Sequence, residues 1–249
     1  MSSTNTAIEW TDKTWNPTVG CNKVSPGCKH CYAETLTKRF HHNFPNGFDF
    51  TLHPERLDEP RRWRKPSRVF VNSMSDLFYE RMPLDYLQDV FRIMQECPQH
   101  VFQILTKRHE LLLELAPLLD WPKNVWMGVS VENQDYAHRV DYLRQVPAAI
   151  RFLSCEPLIG PLQLDLGRIH WVIVGGESGI GHRPIEAEWV RSIRTQCRAA
   201  GVAFFFKQWG GIRPKAGGRK LDGRHYDEMP TAWRSDLEQL GAPAGLPLA

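Results

Sequence analysis

Cys21, Cys28 and Cys31 lie within eleven residues in the pattern C-x6-C-x2-C, and hold half of the chain's 6 cysteines. Thiolates at this density are ligands for soft metals. An iron–sulfur cubane normally takes four cysteines. Held by three, it keeps one iron open to bind something else. A zinc ion would need a fourth ligand, for which His30, His41 and His42 stand nearby. A disulfide with one thiol left over is the third reading. Closed structural zinc usually wants two ligand pairs, and the sequence has no second C-x2-C. Pro26-Gly27 is a turn signal that folds Cys21 back towards the other two. Ala33, Glu34, Leu36, Lys38 and Arg39 then suit a helix. The thiols thus sit on a loop that opens a helix, where the positive end of the helix dipole favours thiolates or an anionic cluster.

The elements that position this loop show as a rhythm. Apolar runs at 68–72, 100–105, 124–129, 150–153, 170–174 and 202–206 each end in a short polar loop. Helical spacing follows most of them: Leu84, Leu87, Phe91 and Met94; a leucine-rich stretch at 109–119; Tyr136, Val140 and Leu143; Trp189, Ile193 and Cys197. Nearly continuous apolar strands alternating with helices predict a parallel sheet covered on both faces. Residues 8–20 add a weaker strand before the cysteine loop, and Pro17 keeps it off a central position. Six clear strands and this weak one favour a single-domain, complete or partial (β/α) TIM-like barrel over an open doubly wound sheet. The 157–169 connection, broken by Pro and Gly, need not hold a full helix. No linker divides the chain, so residues 1–249 read as one domain. From about 211 the chain reads as an irregular tail, with a short helix expected at 231–240 and mobility in the last residues.

In such a barrel the active site lies at the C-terminal ends of the strands. The candidates there are Asn72, Asp76, Lys107, Ser130, Glu132, Cys155, Glu156, Glu177, Lys207 and Gln208. Turn chemistry accounts for Asn72 and Ser178. It accounts less well for Lys107, Glu132, Glu156 and Lys207. Gly175-Gly176-Glu177 offers close backbone approach beside a carboxylate that can hold an ammonium group, or a glycine-rich phosphate site. Cys155 is read as a fourth ligand, a hydrogen-atom donor or a buried small hydrophobe. Cys197 is expected in the core. Trp209 either stacks on a ligand or closes the barrel mouth. Arg61-Arg62-Trp63-Arg64-Lys65 is the densest basic run. It is read first as a solvated face whose Trp packs inward, and second as a grip on phosphates and a base.

Composition sets outer limits. The chain has 249 residues, 42% hydrophobic and 24% charged, with a net charge of +3. Such a chain buries a full core. Its charge permits nucleic-acid contact without demanding it. No apolar run spans a membrane, and the polar first residues lack the apolar stretch of a signal peptide. A cytoplasmic, reducing compartment is expected, where clustered cysteines read as metal sites.

The cysteine pattern followed by Tyr32-Ala33-Glu34 resembles the signature of an uncharacterised phage- and prophage-associated family with a domain of unknown function, described as radical-SAM-like. The likeness runs through Ile8-Glu9-Trp10-Thr11, Ser154-Cys155-Glu156-Pro157-Leu158, Gly175-Gly176-Glu177-Ser178 and Phe206-Lys207-Gln208-Trp209-Gly210. Radical S-adenosylmethionine (SAM) enzymes usually space their cysteines C-x3-C-x2-C, so the first gap here is three residues longer. Their Gly-Gly-Glu also comes earlier in the chain.

The resemblance implies a [4Fe–4S] cluster on Cys21, Cys28 and Cys31, with SAM on the open iron. It implies an electron donor such as flavodoxin or ferredoxin, and a 5′-deoxyadenosyl radical that takes hydrogen from a substrate. Under it Cys155, Glu156, Lys107 and Lys207 would act on substrate. Gly175, Gly176, Glu177, Ser130 and Glu132 would hold the cofactor. A nucleotide or nucleic acid is the substrate class considered. The other readings are a zinc-stabilised, non-catalytic nucleic-acid-binding module and a [4Fe–4S] enzyme that does not use SAM.

Overall fold

The computed structural model describes residues 6–213 and 215–230. The helix expected at 231–240 and the terminal residues lie outside them. The described chain holds nine strands: β1 (Lys13–Trp15), β2 (Thr18–Val19), β3 (Thr51–Leu52), β4 (Arg68–Val71), β5 (Val101–Thr106), β6 (Val125–Ser130), β7 (Ile150–Cys155), β8 (Trp171–Gly175) and β9 (Ala203–Gln208). Its five α-helices are α1 (Tyr32–Arg39), α2 (Leu84–Glu96), α3 (His109–Leu115), α4 (Arg139–Leu143) and α5 (Ala187–Ala200). One sheet runs β1-β4-β5-β6-β7-β8-β9, every neighbour parallel. This is the expected seven-stranded count. β2 and β3 form a separate antiparallel pair that the sequence pattern had not suggested.

Strand order equals chain order, the winding of a barrel rather than of a doubly wound sheet. Side chains on β4 to β9 alternate between two buried layers. Val69, Val71, Met127, Leu153, Val172, Val174, Phe204 and Phe206 face the layer shared with Leu87, Phe91, Val190 and Ile193 of the helices. Phe70, Trp126, Phe152, Trp171, Ile173 and Phe205 face the other way, into a largely aromatic filling joined by Trp10. The Trp10 ring lies 4.8 Å from Phe70 on β4 and 6.2 Å from Trp171 on β8. In a flat sheet β4 and β8 would stand about 19 Å apart. A single indole touching both shows that the sheet curls around it.

Among the described residues β1 and β9 do not pair, so the barrel is partial. The tail occupies the open edge. Phe206 N–H donates to the Tyr226 carbonyl at 2.9 Å, and Asp227 makes an antiparallel bridge to Phe205. Trp171 Nε1 donates to the Glu228 carbonyl at 2.9 Å, which fixes the far end of this return. The expected irregular tail therefore contains an ordered cover for β9. Between β7 and β8 no helix forms, as the Pro- and Gly-broken sequence suggested.

Candidate functional site

The cysteine loop leaves β1 and crosses the C-terminal ends of the strands. Its start is tied to the loop after β4. Gly20 N–H donates to the Met74 carbonyl at 2.9 Å, and the Ser75 hydroxyl donates to the Gly20 carbonyl at 2.7 Å. Asn16 Oδ1 accepts from the Ser73 hydroxyl at 3.1 Å and from Met74 N–H at 3.0 Å. Asn72 exchanges hydrogen bonds with Thr18, at 2.8 and 3.3 Å. Asp76 accepts from the Thr106 hydroxyl at 2.7 Å and from Lys107 N–H at 3.1 Å. These polar strand ends build the mouth and anchor the loop to it.

Two buried carboxylates hold the loop from the far side of the mouth. Glu132, wholly buried, accepts from the Ser25 hydroxyl at 2.6 Å and from Arg139 Nη1 at 2.8 Å. Gly27 lies flat against it; a Cβ there would stand 2.4 Å from Glu132 Oε1. Ser25 Oγ is also 3.8 Å from the Cys28 sulfur. Glu177 accepts from Arg183 N–H at 2.8 Å and Nε at 3.0 Å, and lies 3.1 Å from His30 Nδ1. Arg183 then donates to the Pro26 carbonyl at 3.0 Å. Burial alone would raise the Glu177 carboxyl, but the hydrogen bonds from Arg183 and His30 and the Arg183 charge bring it down to about 2. Glu177 is therefore an anion committed to the Arg183 guanidinium and to a hydrogen bond with His30.

Inside the mouth Lys207 Nζ is 2.7 Å from Glu156 Oε1, and Gln208 Nε2 donates to the same oxygen at 3.3 Å. Lys107 Nζ donates to Ser130 Oγ at 3.1 Å and stands 3.9 Å from Glu132. Ser130 is in register with Ser154 on the inner face. Gly175 abuts Glu156, and Gly176 packs under β9. A Cβ on Gly176 would stand 2.1 Å from the Trp209 carbonyl oxygen. The second glycine thus serves close packing of two strand ends.

The structure thus brings Lys107, Ser130, Glu132, Glu156, Gly175, Glu177 and Lys207 to one mouth with the three cysteines. It does not bring Cys155 there. Side chains alternate along β7, so Cys155 points with Leu153 and Val174 into the helix-side core, where it is fully buried. Cys197 and Cys97 are core residues too. Trp209 packs on Phe206 at 4.7 Å and donates to the Lys220 carbonyl at 2.8 Å, so its ring is engaged within the protein. Trp63 of the basic run packs against the core and stands 5.7 Å from His100.

Ser25, Arg139 and Arg183 were not picked out from the sequence. Only the long-range bonds reveal them. Arg108 is another: buried, it pairs with Glu80 at 3.1 Å, reaches Asn22 of the loop and lies over Tyr79 at 4.8 Å.

The cysteines themselves are all free thiols. Burial, then the negative charges of Asp76 and Cys31, push the Cys21 thiol up to about 12. An unligated thiolate is disfavoured there, and a cationic metal group would supply the missing positive charge. Among the described residues no three Cys, His, Asp or Glu side chains converge on a single metal ion. Three thiols on one loop are the donor type of a cysteine-held iron–sulfur cluster. His30 faces Glu177, and His41 and His42 lie beyond the far end of α1, about 12 Å along its axis.

A sequentially wound, partial α/β barrel with a three-cysteine loop across its C-terminal mouth defines the class. The chain belongs to the family described as "Protein of unknown function (DUF5131)", whose sequence profile matches residues 5–230. No curated protein matches it. Among solved structures, a cysteine-to-serine mutant of spore photoproduct lyase aligns at 12% identity and a TM-score of 0.49, over 71% of this chain and 59% of that one. The same lyase complexed with dinucleoside spore photoproduct aligns at 12% identity and 0.46, over 75% and 61%. A mutant of it with bound AdoMet and the dinucleoside aligns at 14% and 0.44, over 75% and 61%. The chain spans about three fifths of the length of these structures. No helix among the described residues is long and apolar enough to cross a membrane.

Proposed function

We propose that the chain is an iron–sulfur enzyme of the radical-SAM type. The observation that carries the proposal is the three-cysteine loop pinned over the mouth of a parallel partial barrel by two buried carboxylates just past the ends of β6 and β8. Cys21, Cys28 and Cys31 would hold a [4Fe–4S] cluster with one iron left for SAM. When bound, the pair supplies one-electron cleavage of SAM and so the start of radical chemistry.

The chain's own residues position and enclose. Lys107 and Lys207 present ammonium groups to the mouth, and Ser130 and Ser154 present hydroxyls from the inner face. Glu156 fixes the Lys207 chain. The apolar filling from Phe152, Trp171, Ile173 and Phe205 forms a dry floor that keeps water from the far side. Glu132 and Glu177 enter as supports of the cysteine loop. An ammonium group seeking Glu177 would have to displace Arg183 or His30. Cys155 enters as core. A small redox protein such as flavodoxin or ferredoxin would deliver the electron, and a nucleotide or nucleic acid belongs to the proposal as substrate class. The dinucleoside and AdoMet named for the lyase structures accord with both parts.

The test is anaerobic purification with iron and sulfide analysis. The proposal expects about four irons per chain and a broad absorbance near about 400 nm, both lost in Cys28→Ala. A colourless wild-type protein holding one zinc would sink it.

A further inference from the structure

The cysteine loop adjoins two others. Arg183 donates to the Pro26 carbonyl, and a Cβ on Gly181 would be 3.6 Å from the His30 ring. Gly179 N–H donates to the Gly211 carbonyl at 2.9 Å, and Gly211 N–H to the Glu177 carbonyl at 3.0 Å. Residues 16–33, 178–185 and 209–221 therefore make one continuous sector of the rim. None of the three stretches contains an Asp or Glu. They carry Lys23, Lys29, Arg183, Arg213, Lys215, Arg219 and Lys220, of which Arg183 pairs with Glu177 and Arg219 with Asp227. Lys23 pairs with Glu34 and Lys215 with Glu9 from outside the sector. Among the described residues no ion pair engages Lys29, Arg213 or Lys220.

Exposed cations elsewhere are of both kinds: Arg92 pairs with Asp89 and Arg191 with Asp222, each at 2.7 Å, while among the described residues no ion pair engages Arg62, Arg64 or Lys123. The same sector leaves large apolar side chains uncovered. Ile180 is 89% exposed, Ile212 64%, Tyr32 51% and Val24 43%. Ile180 and Ile212 stand on the two hydrogen-bonded loops.

We infer that this sector is the docking face for a nucleic-acid strand, which it holds across the mouth. Cations without acids match a polyanion, and counterion release supplies the affinity. Apolar and aromatic tips between the cations match base faces, which an acid-rich protein surface would not offer. A strand so held would set one nucleotide over Lys107 and Lys207. The basic run at 61–65 takes no part, because it precedes β4 and lies at the opposite end of the strands. The inference deepens the proposed substrate class, but binding itself needs no cluster.

The test is fluorescence anisotropy of a labelled single strand of about 20 nucleotides with the full chain, over a salt series from about 50 mM. Three phosphate contacts predict a log–log salt slope of about −2. The triple variant Lys29→Ala, Arg213→Ala, Lys220→Ala should flatten the slope and weaken binding about tenfold or more. The pair Ile180→Ser, Ile212→Ser should weaken binding and keep the slope. The pair Arg62→Ala, Arg64→Ala should bind as wild type.

Absence of binding to single- or double-stranded DNA and RNA at low salt overturns the inference. So does a triple variant that binds as wild type, or a loss confined to Arg62 and Arg64. Capture of acidic flavodoxin by the same cations, with no nucleic acid bound, also overturns it. An iron-free wild-type chain that binds the strand sinks the cluster reading and supports this one. A cluster-bearing chain that ignores the strand sinks this one alone.

Discussion

Glu177→Gln removes one charge from the mouth without changing its shape. In the folded protein Glu177 is 6% exposed and its carboxyl is brought down from 4.5 to about 2. A carboxyl depressed on folding stabilises the fold above its unfolded pKa, and the effect is lost as pH falls through the folded value. At about 1.4 kcal/mol per pKa unit, the shift is worth about 3 kcal/mol at pH 7. The glutamine keeps part of the hydrogen bonding to Arg183, so the variant should lose about 2 kcal/mol at pH 7. By about pH 3 most of the wild-type advantage is gone, and the gap should shrink to below about 1 kcal/mol. Urea unfolding of both proteins, run at the two pH values, measures the gap directly. Because Glu177 also holds His30 and Arg183, alkylation of Cys31 in the iron-free variant should quicken. A gap that stays constant with pH would refute the assignment of Glu177 as a buried anion paired to Arg183.

Glu132→Leu leaves Arg139, 2% exposed, without its counter-charge, and should cost about 3–5 kcal/mol in urea unfolding. Gly176→Ala should lower stability by about 1–3 kcal/mol or prevent folding, because its Cβ meets the Trp209 carbonyl; an unchanged melting temperature would contradict that contact. Cys155→Ala should cost about 1 kcal/mol of stability and leave the iron content at the wild-type level, since its thiol faces the helix-side core.

The strands could be read because a parallel strand covered on both faces must be apolar along its length, as at Val125–Ser130 and Ile150–Cys155. The mouth could be read because each apolar run stops at a polar residue. Which face a residue takes was harder. Ser154, Cys155 and Glu156 are consecutive, and only the register of β7 decides that the middle one points away. Long-range anchoring was harder still. Ser25 meets Glu132 across 107 residues and His30 meets Glu177 across 147. No local pattern distinguishes a carboxylate that holds a loop from one that holds a ligand. The strand-like return at 224–229 also escaped notice, because Arg224-His225-Tyr226-Asp227-Glu228-Met229 lacks an alternating apolar pattern. It is an edge cover, held through its backbone.

The most direct test of the central claim is EPR of the dithionite-reduced protein, prepared without oxygen, with and without SAM. The account predicts a [4Fe–4S] signal that moves when SAM is added, because a cluster held by three cysteines would leave one iron free to bind it. A cluster signal indifferent to SAM would contradict the SAM assignment, and a reduced protein with no cluster signal would contradict the account at its root.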